Sequence, residues 1–135
     1  MDIALAQLQE AGSGHLPGLL GIEFDSFEDG VVRARLALEQ KHFAPNGYVH
    51  AASVVALADT AAGYGCLLTL PEGGTGFTTI ELKTNFLRSA QEGTIACEAR
   101  LVHGGRTTQL WDATVRDAQG RPMALFRCTQ LVLRG

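Results

Sequence analysis

The chain has no cluster of Lys or Arg, no Cys-x-x-Cys pair and no basic-then-apolar leader, and each absence removes a class of function. Without grouped cations nothing tracks a phosphate backbone. With a formal net charge of -3 and an isoelectric point near 5.7, no nucleic-acid partner is expected. Cys66, Cys97 and Cys128 lack the spacing of a metal or redox site, and each stands in an apolar run, so they read as reduced core residues. His42 and His50 are separated by a turn-rich loop with no carboxylate at ligand spacing, and no metal is expected. The opening MDIALAQLQEAG has neither a charged n-region nor an apolar h-region, which points to a cytoplasmic protein without a membrane partner. A length of 135 residues suits one domain, here 1–135, with 1–18 as an N-terminal helix and linker.

What is present centres on residues 50–70, HAASVVALADTAAGYGCLLTL. The stretch is apolar on nearly every side and predicts a buried helix from about Ala51 to a stop at Pro71. One charge, Asp59, interrupts it, with no basic residue within four positions. Such a carboxylate needs either a hydrogen-bond partner from a strand or a chemical use, and the sequence leaves both open. A membrane span is not the reading, because Asp59 sits at the centre and the remaining chain alternates like half-buried strands.

Around this helix the pattern is extended. Residues 2–10 predict a short, weakly amphipathic helix, either a lid or frayed, and 19–27 an extended segment. Glu28-Asp29-Gly30 is a turn into a strand where Val32, Ala34, Leu36 and Leu38 alternate with polar residues. Pro45-Asn46-Gly47 marks a turn within the loop 40–49. Four strands follow at 77–87, 94–102, 107–116 and 123–133, read as a meander, with hairpin turns at 103–106 and 117–121. Trp111 reads as core or dimer packing. About six antiparallel strands have one apolar face to cover and one segment able to cover it, which predicts an α+β fold with a curved sheet wrapped around the central helix.

PNGYVHAASVVALADT, FLRSA, HGGRT and ALFR together resemble the hotdog-fold acyl-CoA thioesterases, and most closely the phenylacetate-degradation type. Asn46, Gly47, His50 and Asp59 fall on that family's pattern N-G-x-x-H-G-G with an Asp or Glu on the central helix. The resemblance implies a hotdog fold, hydrolysis of an acyl-CoA thioester without a further cofactor, and an active site at the interface of a homodimer or homotetramer. Thr79 aligns with a hydroxyl that in the family assists the water, Thr78 being the choice if the register slips by one. The sequence departs from the pattern twice. Ala51-Ala52 replaces the glycine pair, and Ala44 stands where relatives often carry an Asn or Gln that orients the water.

The residues themselves agree with this chemistry. A helix start offers an unpaired N–H and a positive dipole end, so the Ala51 N–H suits an oxyanion, while Asp59 suits a general base or nucleophile. Eight residues of helix separate them by roughly 12 Å, too far to flank one carbonyl, so an antiparallel dimer would have to bring Ala51 of one chain to Asp59 of the other. His50 takes a supporting role, as cap or polarising group. For coenzyme A the candidates are Arg88 and the Gly104-Gly105-Arg106 turn, through bidentate phosphate contacts and backbone N–H groups. Two rival readings remain: a hydratase or dehydratase acting on acyl thioesters, and an acyl-CoA binding dimer without turnover.

Overall fold

A computed structural model describes residues 2–135. The chain opens with α1 (Ile3–Ala11), capped by the Asp2 carboxylate, which accepts from the N–H groups of Ala4 at 2.8 Å and Leu5 at 3.2 Å. Of the two expectations for this segment the frayed one does not hold, since the helix packs: Leu5 is fully buried, and Gln9 Oε1 accepts from the N–H of Phe24 at 2.7 Å. A second short helix, α2 (Leu16–Leu20), occupies the segment read as linker and the start of the segment read as extended. Pro17 in its first turn and Gly21 with φ of 84° at its end define it, so the strand begins later than its apolar residues suggested.

Strands β1 (Glu23–Glu28) and β2 (Val31–Ala37) form a hairpin whose two central residues, Asp29 and Gly30, both adopt positive φ, the geometry that matches strand twist. Val32, Ala34 and Leu36 point into the core, as their alternation predicts. The central helix α3 (Ala51–Leu68) follows, then β3 (Gly74–Phe86), β4 (Thr94–Gly104), β5 (Thr108–Arg116) and β6 (Pro122–Arg134). All neighbours in the sheet are antiparallel, in the order β1-β2-β4-β5-β6-β3. The hairpins β4-β5 and β5-β6 match expectation, but the four-strand meander does not hold. α3 carries the chain beneath the whole sheet, so β3 begins at the edge opposite β2 and pairs with β6, and residues 87–93 return the chain to β4 beside β2.

The sheet curls around α3 in the hotdog arrangement. Ala51–Leu68 is long and apolar enough to cross a bilayer, yet half of it is buried against the sheet. Small residues allow the approach. A Cβ at Gly65 would stand 2.3 Å from Cη2 of the fully buried Trp111, and one at Gly63 would stand 2.8 Å from Cζ of Phe77. Burial is confined to one face rather than most of the helix: Leu57, Ala58, Ala61 and Ala62 are enclosed, while Ala51 and Ala52 are exposed and Val55 and Asp59 are half-covered. The three cysteines are free and buried, as their apolar settings predict.

Candidate active site

The start of α3 is held by a chain of contacts that reaches back to α2. His42, fully buried, accepts from the Glu39 N–H through Nδ1 at 2.8 Å and donates from Nε2 to the Leu20 carbonyl at 2.6 Å, which fixes its Nε2–H tautomer. Its own carbonyl accepts from the His50 N–H at 2.8 Å and from Ser53 Oγ at 3.0 Å. The helix cannot start one residue earlier or later without breaking these bonds. From sequence alone His42 reads only as a residue that does not bind metal. Its role as an anchor depends on Leu20 and Glu39, which sequence spacing does not connect to it.

Within the first turn the donors are divided. His50 caps the helix, with Nδ1 accepting from the Ala52 N–H at 2.9 Å and its carbonyl accepting from the Ser53 N–H at 2.9 Å. The Ala51 N–H is left without an acceptor among the described residues. It lies where two clefts meet. One, of about 260 Å³, is lined by Val49, Ala51, Val54, Phe86, Leu87, Arg88, Ser89 and Met123. The other, of about 490 Å³, is lined by Ala44, Asn46, Tyr48, Val49, His50, Ala51 and Ser89. Arg88 and Asn46 therefore gather at the Ala51 end. Asn46 Oδ1 accepts from the Tyr48 N–H at 3.1 Å within the turn that Gly47 closes at φ of 89°, leaving its amide N–H groups free. Ala44 contributes only a methyl group to the same cleft.

Asp59 sits two turns further along α3, on the stripe Ala51, Val55, Asp59, Gly63. Its Oδ1 is buried with no hydrogen-bond partner in the protein, so the strand partner that would make it structural is not there. Burial raises its pKa above the usual carboxylate range. The Cys128 thiol on β6 is pushed up to about 12, mainly by its own burial and next by the charge of Asp59. Among the described residues no cation offsets the burial of Asp59.

The stripe runs along the inner face of β3, where Phe77, Thr79, Leu82, Thr84 and Phe86 stand opposite Val132, Gln130, Cys128, Phe126 and Ala124 of β6. Thr79 faces inward and Thr78 outward, but Thr79 Oγ1 donates to Gln130 Oε1 at 2.8 Å and so spends its proton there. Gly104, Gly105 and Arg106 form the β4-β5 turn at the far end of the molecule, past the C-terminus of α3, where the Arg106 carbonyl accepts from Arg134. Within one chain this turn is not brought to Ala51, and Ala51 and Asp59 stay roughly 12 Å apart.

Residues 46–124 match the sequence profile of the thioesterase superfamily. The chain is 30% identical to the 1,4-dihydroxy-2-naphthoyl-CoA hydrolase of Escherichia coli over 97% of its own length and 96% of that protein. It is 29% identical to the proofreading thioesterase EntH of Klebsiella pneumoniae, across 98% and 96% of the two chains. The crystal structure of a mutant of thioesterase PA1618 from Pseudomonas aeruginosa superposes with a TM-score of 0.92 at 29% identity, covering 97% of this chain and 94% of that one. A Streptococcus mutans protein solved with acetyl CoA gives 0.77 at 28% identity, over 84% and 90%. A free helix-start N–H, a partnerless carboxylate on the helix that the sheet encloses, and these likenesses converge: the chain belongs to the thioesterase superfamily and is a hotdog thioester hydrolase.

Proposed function

We propose that the protein hydrolyses acyl-CoA thioesters as a homodimer, with Asp59 of one protomer as general base and the Ala51 N–H of its partner as oxyanion donor. One observation carries this reading: the free N–H and the unpaired carboxylate lie on the same partly covered stripe of α3, too far apart to serve one carbonyl. The stripe follows β3, an edge strand of 13 residues bonded on one side, whose Ile80, Leu82 and Phe86 are exposed. Two such edges paired antiparallel would make one continuous sheet and set the helices side by side in opposite directions. Each Ala51 would then approach the other chain's Asp59.

The chemistry follows from those two groups. The Asp59 carboxylate takes a proton from water, and the hydroxide adds to the thioester carbonyl. The tetrahedral oxyanion forms against the Ala51 N–H at the positive end of α3. Collapse breaks the C–S bond, the thiolate of coenzyme A leaves, and the proton held by Asp59 returns to it. Arg88 beside Ala51, and the Gly104-Gly105-Arg106 turn arriving from the other protomer, would hold the nucleotide phosphates. His50 keeps the helix start in place, and Asn46 offers its amide N–H groups to the water that Ala44 cannot reach. Thr79, already bound to Gln130, keeps only acceptor capacity for that water. The reaction needs no cofactor beyond the coenzyme A of the substrate, so chelators should leave the rate unchanged.

The relatives that act on 1,4-dihydroxy-2-naphthoyl-CoA make aromatic acyl-CoA esters the first to test. Thiol release from a panel of aromatic, short and medium acyl-CoA esters, with wild type and Asp59→Asn compared as folded dimers, decides the matter. Hydrolysis by the wild type and its collapse in the variant are expected. Binding of esters without turnover by the wild type would overturn the reading.

A further inference from the structure

Ser89 and the start of α3 are tied together through one hydrogen bond. The Val49 N–H donates to the Ala90 carbonyl at 2.9 Å, so Ser89 lies one residue, and Ala51 two residues, from its ends. The other side of Ser89 is anchored too, because the N–H groups of Leu87 and Arg88 donate to the Met123 carbonyl at 2.9 Å and 3.4 Å. Backbone bonds on both flanks make this a fixed position rather than a mobile loop. Both clefts that meet at the free Ala51 N–H are bordered by Ser89. Among the described residues no other polar side chain borders both: Arg88 belongs to the first alone, and Asn46, Tyr48 and His50 to the second alone.

A tetrahedral oxyanion has room for more than one donor, and a single backbone N–H leaves that capacity unused. Ala44, at the same cleft, adds only a methyl group. We propose that Ser89 is a catalytic residue: its hydroxyl donates to the thioester carbonyl oxygen beside the Ala51 N–H and completes the oxyanion hole. This rests on the reading of the Ala51 N–H as oxyanion donor. The proton stays on Ser89 throughout, while the proton of the attacking water goes to the partner's Asp59. Nothing nearby competes for the exposed hydroxyl. A third cleft, of about 450 Å³, borders Ser89 on the side of Asp117 and Arg121, but those groups satisfy one another. Asp117 Oδ2 accepts from Arg121 Nε at 2.8 Å, and its Oδ1 from the N–H groups of Gln119 at 3.0 Å and Arg121 at 2.9 Å. Because the bond to the carbonyl oxygen strengthens as negative charge develops there, it acts on kcat more than on KM.

Ser89→Ala removes the donor from an exposed position, so the dimer and its Tm should be unchanged. The expected result is a kcat lower by ~10² with KM within about threefold. Ser89→Thr keeps the O–H and should retain most of the wild-type rate. A coenzyme A thioether, with a methylene in place of the acyl carbonyl, offers the hydroxyl no oxygen, and wild type and Ser89→Ala should bind it with the same Kd. An alanine variant with the wild-type rate, or a threonine variant as slow as the alanine one, would overturn the proposal. So would a thioether Kd that weakens in Ser89→Ala by the factor lost from kcat/KM, since the hydroxyl would then be holding another part of the substrate. Failure of the underlying reading looks different, because Ala51→Pro would then hydrolyse esters as fast as the wild type.

Discussion

The two ends of α3 are built on opposite terms. At its C-terminal half Gly63 and Gly65 bring the backbone against Phe77 and Trp111, and Thr69, Gln109 and Trp111 satisfy one another: Gln109 Oε1 accepts from Trp111 at 2.7 Å and Thr69 Oγ1 at 3.3 Å, and its Nε2 donates to the Thr69 carbonyl at 3.0 Å. At its N-terminal half the first N–H has no acceptor, Ala51 and Ala52 are exposed, and Oδ1 of the half-covered Asp59 is buried without a partner. One half is packed and saturated, the other open and unsatisfied. The difference separates what holds the fold from what does chemistry, and it predicts that mutations at the two ends fail in different ways.

The largest effect belongs to the open end. Asp59→Asn should lower kcat by ~10² to 10⁴ while the dimer remains folded. Its stability should respond to pH in a defined direction. Burial raises the folded-state pKa of Asp59 above the ordinary 3.8, so the native chain binds the proton more tightly than the unfolded one. The wild type therefore loses stability as pH rises from about 3.8 through the folded pKa, and then levels off. Asp59→Asn should be more stable than wild type at neutral pH, and the gain should vanish in acid. Thermal melts of both proteins across that range check the sign.

Ala51→Pro is next. It removes the free N–H at the first helical position, where proline is favoured, and His50 before it already has a proline-compatible φ of -69° and ψ of 136°. A rate loss of ~10² to 10³ with an unchanged melting curve is expected, as for deletion of an oxyanion donor.

The packed end should give the reverse. Gly65→Ala places a methyl 2.3 Å from the Trp111 ring and should destabilise the fold by about 1–3 kcal/mol in chemical denaturation, with the kcat of the folded fraction intact. The smallest effect is at the boundary. His50→Ala removes the cap that Ala52 uses and should cost about 1 kcal/mol, with a modest loss of rate as the helix start loosens.

The sequence carried much of this contrast. The helix, its lone carboxylate and the Glu28-Asp29-Gly30 hairpin follow from periodicity and turn chemistry, which are local. α2 was missed because LPGLL is a single turn, too short for a helical period to show against an extended run. The position of β3 was missed because periodicity tells which face a strand buries and not which neighbour it pairs with. The anchoring role of His42 was missed for a third reason. A histidine in a loop looks ordinary until the fold brings Leu20 to it.

Complementation between two dead variants tests the central claim, that each site is shared between chains, most directly. Asp59→Asn and Ala51→Pro chains should each be inactive alone. In a mixed dimer the Asp59 of one chain and the Ala51 of the other form one intact site, so co-expression with random pairing should restore about one quarter of the wild-type rate per chain. Mixed dimers that form and hydrolyse nothing would contradict a shared site.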